Sequence, residues 1–313
     1  MEAGRDLAGH LEAVIGEAGE RFGPTSGPNA APGPGPDGPA AGRIAATWRV
    51  ARGGAGTGTG AVQASHGGDV PFEAACVVKL FLMVALHGWY EAARLAPTPE
   101  LERACRDMIV DGVDDATHLV LDALTGTTGG IELPEPEMSA WREARNAVNR
   151  WFGSWCWPEF DRINVCQKTY AQGPYGRERV SRGARGENAN RLTTDATVRL
   201  LAAIMEGRAV SPGRSAAMRA LLERDPADPR GRLVLDGFLG AGVPRGSRVW
   251  AMPGRSGSCR HDAAHILLPD GTCHTLAVFT RRPASDCASD CASEGAAERA
   301  LLPWIAGRLL GPA

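Results

Sequence analysis

Between Glu73 and Glu91 only one permanently charged side chain, Lys79, interrupts an apolar run, Ala-Cys-Val-Val-Lys-Leu-Phe-Leu-Met-Val-Ala-Leu, and Cys76 stands three residues before it. A run that is apolar on every side and too short to span a bilayer predicts a buried helix. Burying an ammonium is unfavourable by roughly several kcal/mol unless it is paired or neutralised, so a lysine here requires a reason. Cys76 offers one, because positions i and i+3 share a helix face. A thiol in a first helical turn feels the positive end of the helix dipole. An adjacent lysine either stabilises the thiolate as a cation or takes the thiol proton when neutral. Both routes make a nucleophile. The alternative is a small buried cysteine beside a lysine that snorkels outward.

The rest of the chain narrows the setting. The formal net charge is -2 with interspersed signs, so no basic stripe invites a phosphate backbone and nucleic acid is not an expected partner. The opening residues carry Glu2, Arg5 and Asp6 with no apolar stretch, and no spanning segment follows. A cytoplasmic location without membrane association is therefore expected. The eight cysteines then read as thiols, and none shows Cys-x-x-Cys or zinc-finger spacing. No metal and no cofactor are expected. Cys287 and Cys291 fall in a repeated Ala-Ser-Asp-Cys that reads as a solvated loop.

The elements that must position Cys76 are legible in outline. Leu7, Leu11, Val14 and Ile15 give an N-terminal helix ending at Gly23-Pro24, and the Pro/Gly-rich stretch Pro24 to Gly42 reads as a linker. Ile44 to Val50 and Ala61 to Ser65 read as a hairpin around Gly53 to Gly60. That glycine-rich turn joins two strands and opens no helix, which weakens a nucleotide-binding reading. From Phe72 to about Arg208 the pattern is helical, with segments Glu100 to Ile109, Ala116 to Leu124, Met138 to Phe152 and Thr194 to Met205. Thr193-Thr194 and Ser211-Pro212 mark helix starts. Strands return at Val249 to Met252, His261 to Leu268 and His274 to Thr280, the last two joined at Pro269-Asp270-Gly271, before a final helix from Glu294 to Leu310. Strands at both ends with helices between imply one sheet built from distant segments around a helical insertion.

The segment Phe-Glu-Ala-Ala-Cys-Val-Val-Lys-Leu-Phe resembles the Ser-x-x-Lys motif of class A β-lactamases and related penicillin-binding serine hydrolases, with Cys76 in the place of the serine. The order of elements agrees from about Ile44 to Leu310. The resemblance implies an α/β sandwich, an antiparallel sheet flanked by terminal helices, plus an all-helical subdomain. The expected boundaries are an N-terminal helix over 1–23, a linker over 24–43, an α/β part over 44–70 and 235–313, and a helical part over 71–234.

The same resemblance assigns the remaining site residues. Aligned on Ala116-Thr117, the family's Ser-Asp-Asn becomes Gly112, Val113, Asp114, so the serine hydroxyl is missing and Asp114 is an acid where an amide is usual. Asp114 is expected either to orient Lys79 or bind a substrate amine, or, with Asp115, to cap the following helix. The family's Lys-Thr/Ser-Gly becomes Met252-Pro253-Gly254, followed by Arg255 and Ser256. Arg255 or Arg260 would supply a substitute cation and Ser256 a hydroxyl, and the oxyanion hole would be the backbone N–H groups of Cys76 and Arg255. Glu178 lies at about the distance before Thr193-Thr194 where the family holds its deacylating glutamate, although a surface salt bridge is the competing expectation. Trp151, Trp155 and Trp157 either line a substrate wall or pack. His261 and Asp262 invite a Cys-His-Asp triad, but neighbours on a strand point to opposite faces.

The resulting expectation is acyl transfer through a cysteinyl thioester, with water or an amine as acceptor and no cofactor. The donor would be a small acyl or peptidyl intermediate of specialised metabolism, antibiotic biosynthesis included. A catalytically degenerate, ligand-binding β-lactamase-like protein is the alternative. Nothing in the spacing specifies an oligomeric state.

Overall fold

The computed structural model describes residues 2–22, 44–52, 60–170, 173–225, 228–257, 259–281 and 296–311. The linker from Pro24 to Gly42, the turn residues Gly53 to Thr59, Cys287, Cys291 and the expected helix start at Glu294 lie outside them. The strands are β1 (Ile44–Arg52), β2 (Val62–His66), β3 (Phe72–Glu73), β4 (Arg191–Leu192), β5 (Glu223–Arg224), β6 (Arg248–Ala251), β7 (Gly254–Ser256), β8 (Cys259–Leu267) and β9 (Thr272–Thr280). The helices are α1 (Glu2–Phe22), α2 (Val78–Glu91), α3 (Pro99–Val110), α4 (Asp114–Thr125), α5 (Glu137–Arg145), α6 (Ala147–Gly153), α7 (Gly176–Arg182), α8 (Thr194–Met205), α9 (Pro212–Leu222), α10 (Pro229–Leu235) and α11 (Ala296–Leu310).

The main sheet runs β2-β1-β9-β8-β6-β5, with β7 also on β8, and every pairing is antiparallel. The side-chain period of two sends alternate residues to two cores. Ala46, Trp48, Ala264, Ile266, Leu276 and Val278 meet Leu11, Val14 and Ile15 of α1 and Leu302, Ile305 and Ala306 of α11. Their neighbours Ala45, Ala263, Ala277 and Phe279 meet α2 and α8 on the other face. This is an α/β sandwich with terminal helices on one face and the helical region on the other. The β8–β9 hairpin closes as its Pro-Asp-Gly turn requires: Gly271 has φ 84 and Asp270 accepts from Thr272 N at 2.8 Å.

Helix α2 passes through the larger core, and all of Val78 to Tyr90 is buried. Six large apolar side chains there, Leu80 to Val84 and Leu86, contribute on the order of 10 kcal/mol as an upper bound. That exceeds the several kcal/mol that burying a paired lysine costs, so the helix tolerates Lys79. Thr193 and Ser211 cap α8 and α9 by accepting from Ala196 N and Arg214 N.

Two expectations are corrected. Met138 to Phe152 is two helices, because the chain turns at Asn146, whose amide bonds Arg142 O at 3.0 Å while Asn149 reaches across to Asn164 at 2.6 Å. The 71–234 stretch is not purely helical: β3 pairs β4, and β5 joins the main sheet through β6. Of the two readings of Trp151, Trp155 and Trp157, packing is the one observed: they cluster with Phe152 and Phe160, mostly edge to face, and do not line the cleft that holds Cys76.

Candidate active site

Strand β3 delivers the chain to Ala74, whose N–H bonds Asn190 O at 3.1 Å, and to Ala75, a non-glycine residue with φ 43. A left-handed alanine persists only where its surroundings over-determine it. Ala75–Val77 is a single 3-10 turn, and the α-helix proper begins at Val78. Cys76 therefore sits just before α2 rather than inside its first turn. His261 clamps this approach: its Nε2 donates to Glu73 O at 2.7 Å, its Nδ1 accepts from Thr280 N at 3.1 Å, and its ring stacks on Phe279. Burial holds that imidazole down at about 4. Asp262 points to the opposite face and accepts from Leu239 N at 2.9 Å, so the two do not form a triad with Cys76.

Strand β7 closes over the turn. A Cβ on Gly254 would fall 2.9 Å from both Cys76 N and Val77 N, so only glycine lets the strand approach this closely. Gly254 is buried, Arg255 exposed and Ser256 half-buried, with Ser256 Oγ 3.1 Å from Cys259 Sγ. Met252 stands where the resemblance places a lysine, and its N–H bonds Ala263 O at 2.9 Å.

Lys79 is fully buried, and its Nζ donates to Gly112 O at 2.5 Å and to Asp114 Oδ1 at 2.9 Å. Its partner among the described contacts is Asp114, not Cys76. Asp114 does not cap α4: Val113 holds the N-cap position and has no side-chain cap bond. The Asp114 side chain is 41% exposed, and Oδ1 also accepts from Thr169 Oγ1 at 2.7 Å. Thr169 carried no spacing signal in the sequence.

Glu178 is neither a surface residue nor part of the cleft wall. It is 1% exposed and bonds Arg145 and, at 3.5 Å, Lys168; those two cations also hold Asp122 at 3.0 and 2.6 Å. This buried group of two cations and two carboxylates ties α4, α5 and α7 to the segment before Thr169.

Cys76 opens onto a cleft of about 540 Å³ whose walls include Asp111, Gly112, Met252 and Gly254. Arg255, Arg260 and Arg299 line it too, with Arg299 paired to Asp236 and Arg260 donating to Gly237 O at 2.9 Å. The six cysteines among the described residues are free thiols. Burial pushes Cys105 up to about 12 and Cys166 and Cys259 up to about 11, which makes these three poor nucleophiles. Among the described residues no cluster of three His, Cys, Asp or Glu side chains could hold a metal, and no helix is long and apolar enough to cross a membrane.

A reactive-type side chain at the start of a buried helix, beside an edge strand of an antiparallel sheet backed by terminal helices, is the acyl-transfer fold of the serine hydrolases. The chain belongs to the beta-lactamase enzyme family, whose model matches residues 141–301, just over half of its length. The matched stretch begins beyond Cys76 and Lys79. Solved structures with the same fold include a β-lactamase from Sphaerobacter thermophilus (22% identity, 96% of this chain and 95% of that one, TM-score 0.61). Others are the β-lactamase from Desulfarculus baarsii (17%, 98% and 99%, 0.63) and one from Xanthomonas campestris (16%, 96% and 97%, 0.63). No curated protein matches.

Proposed function

We propose that the protein transfers an acyl group through a thioester on Cys76. Cys76 Sγ attacks an amide, ester or thioester carbonyl; an S–C bond forms, the bond to the leaving group breaks, and the leaving group departs with a proton handled by Lys79. The N–H groups of Cys76 and Arg255 are assigned to the developing oxyanion. An acceptor then attacks the thioester carbonyl, its bond to carbon replaces the S–C bond, and its proton returns to the thiolate. The observation that carries this reading is a cleft-lining Cys76 with a buried Lys79 one turn later, itself held by Asp114.

An amine acceptor is preferred to water. Thioesters are readily aminolysed, and Glu178, the residue that the resemblance would assign to activating water, is tied into buried ion pairs instead of facing the cleft. A cleft of about 540 Å³ suits a small acyl or peptidyl substrate; the class we propose is a cytoplasmic intermediate of specialised metabolism, antibiotic biosynthesis included.

Intact-protein mass spectrometry with a panel of small thioester and ester donors tests this. The expected result is one acyl increment mapped to Cys76, absent in Cys76→Ala and released faster when amines are added. Absence of any adduct, or equal labelling of Cys76→Ala, leaves the ligand-binding alternative in its place.

A further inference from the structure

Asp114 Oδ1 takes two donors, Lys79 Nζ at 2.9 Å and Thr169 Oγ1 at 2.7 Å. The second comes from a segment that is anchored from several elements. The side chain of Asn190 accepts from Cys166 N at 3.0 Å and Gln167 N at 2.8 Å and donates to Gln167 O at 2.7 Å. Its own carbonyl receives Ala74 N, two residues before Cys76. Lys168 is clamped by Asp122 and Glu178, and His118 of α4 bonds Thr169 O. One buried asparagine thus fixes both the turn that carries the nucleophile and the segment that carries Thr169.

We propose that Thr169 is a positioning residue for the Cys76 reaction. It acts by holding the Asp114 carboxylate in the orientation that grips Lys79. A carboxylate on the first turn of a helix and 41% exposed would otherwise rotate toward water. With Thr169 donating to Oδ1, that oxygen stays on the Lys79 side. The hydroxyl is the operative feature, so serine should substitute and valine, of the same shape, should not.

This inference rests on the acyl-transfer reading, and the experiment separates the two. The probe is p-nitrophenyl acetate, whose p-nitrophenolate release and acetyl increment on Cys76 are followed together. Thr169→Val is expected to slow Cys76 acetylation by roughly three- to tenfold at an unchanged thermal midpoint, and Thr169→Ser to stay within about twofold of wild type. Thr169→Ala, which adds no apolar bulk, replaces the valine variant if that does not fold. In an Asp114→Ala background the valine substitution should have almost no further effect, because its only route runs through that carboxylate. Thr169→Val at the wild-type rate, or an equal slowing in the Asp114→Ala background, overturns the inference alone. A wild-type protein with no acetyl group at Cys76 overturns the acyl-transfer reading and this inference with it.

Discussion

Lys79 separates stability from function at the level of a single side chain. Its ammonium is enclosed by apolar neighbours and compensated by one carboxylate and one carbonyl. Removing one member of a buried pair strands the other charge, which costs about 3–5 kcal/mol in a dry interior. Asp114 is partly in water, so a discounted loss of about 1–3 kcal/mol is expected for Asp114→Ala, read from the urea midpoint at pH 7. Lys79→Met removes the charge and keeps the volume, and should leave stability within about 1 kcal/mol while abolishing Cys76 acylation. If Lys79→Met acylates at the wild-type rate, Lys79 has no part in the chemistry.

Close approach between elements makes the cleft, and Gly254 is where β7 meets the turn that holds Cys76. A methyl group there would have to displace backbone nitrogens at 2.9 Å. Gly254→Ala should therefore separate strand and turn, slowing acylation at least tenfold and costing about 1–3 kcal/mol of stability, measured by adduct formation and thermal unfolding. Unimpaired acylation would remove β7 from the oxyanion assignment. The same element scale explains what was readable beforehand. Helix α2 was plain because an apolar run with a single lysine has few other interpretations, and α8 and α9 were plain from their threonine and serine caps. Strands β3, β4, β5 and β7, of two or three residues each, are too short to display a period of two. Glu178 was misread because its partners, Arg145, Lys168 and Asp122, come from distant parts of the chain and give no local signal of burial. Thr169 was missed for the same reason. Its role depends on Asn190 and Asp114, and a threonine in a loop has no spacing to betray it.

Across the whole molecule, burial sets the response to pH. It holds the imidazoles of His87, His261, His265 and His274 down at about 4, against an ordinary value near 6.5. Between these two values the unfolded chain takes up protons that the folded one refuses, so stability is lost as pH falls through that window, by at most about 3 kcal/mol per histidine. Asp262 runs the other way. Burial pushes it up to about 7, opposed by the N–H groups of Leu239 and Ala263 and by Arg224 and Arg260. From about pH 4 to 7 the folded chain holds a proton there that the unfolded chain has lost, so this group's contribution declines as pH rises. Four histidines against one aspartate leave a net uptake of about three protons on unfolding near pH 5, enough to consume much of a typical folding stability. Denaturant unfolding from pH 4.5 to 8 should show stability climbing steeply to about pH 6.5. In Asp262→Asn the opposing slope is gone, so the climb should be steeper and the variant should gain on the wild type as pH rises, by on the order of 2–4 kcal/mol across the range. Parallel curves for the two proteins would place Asp262 in its ordinary ionised state and remove it from this balance.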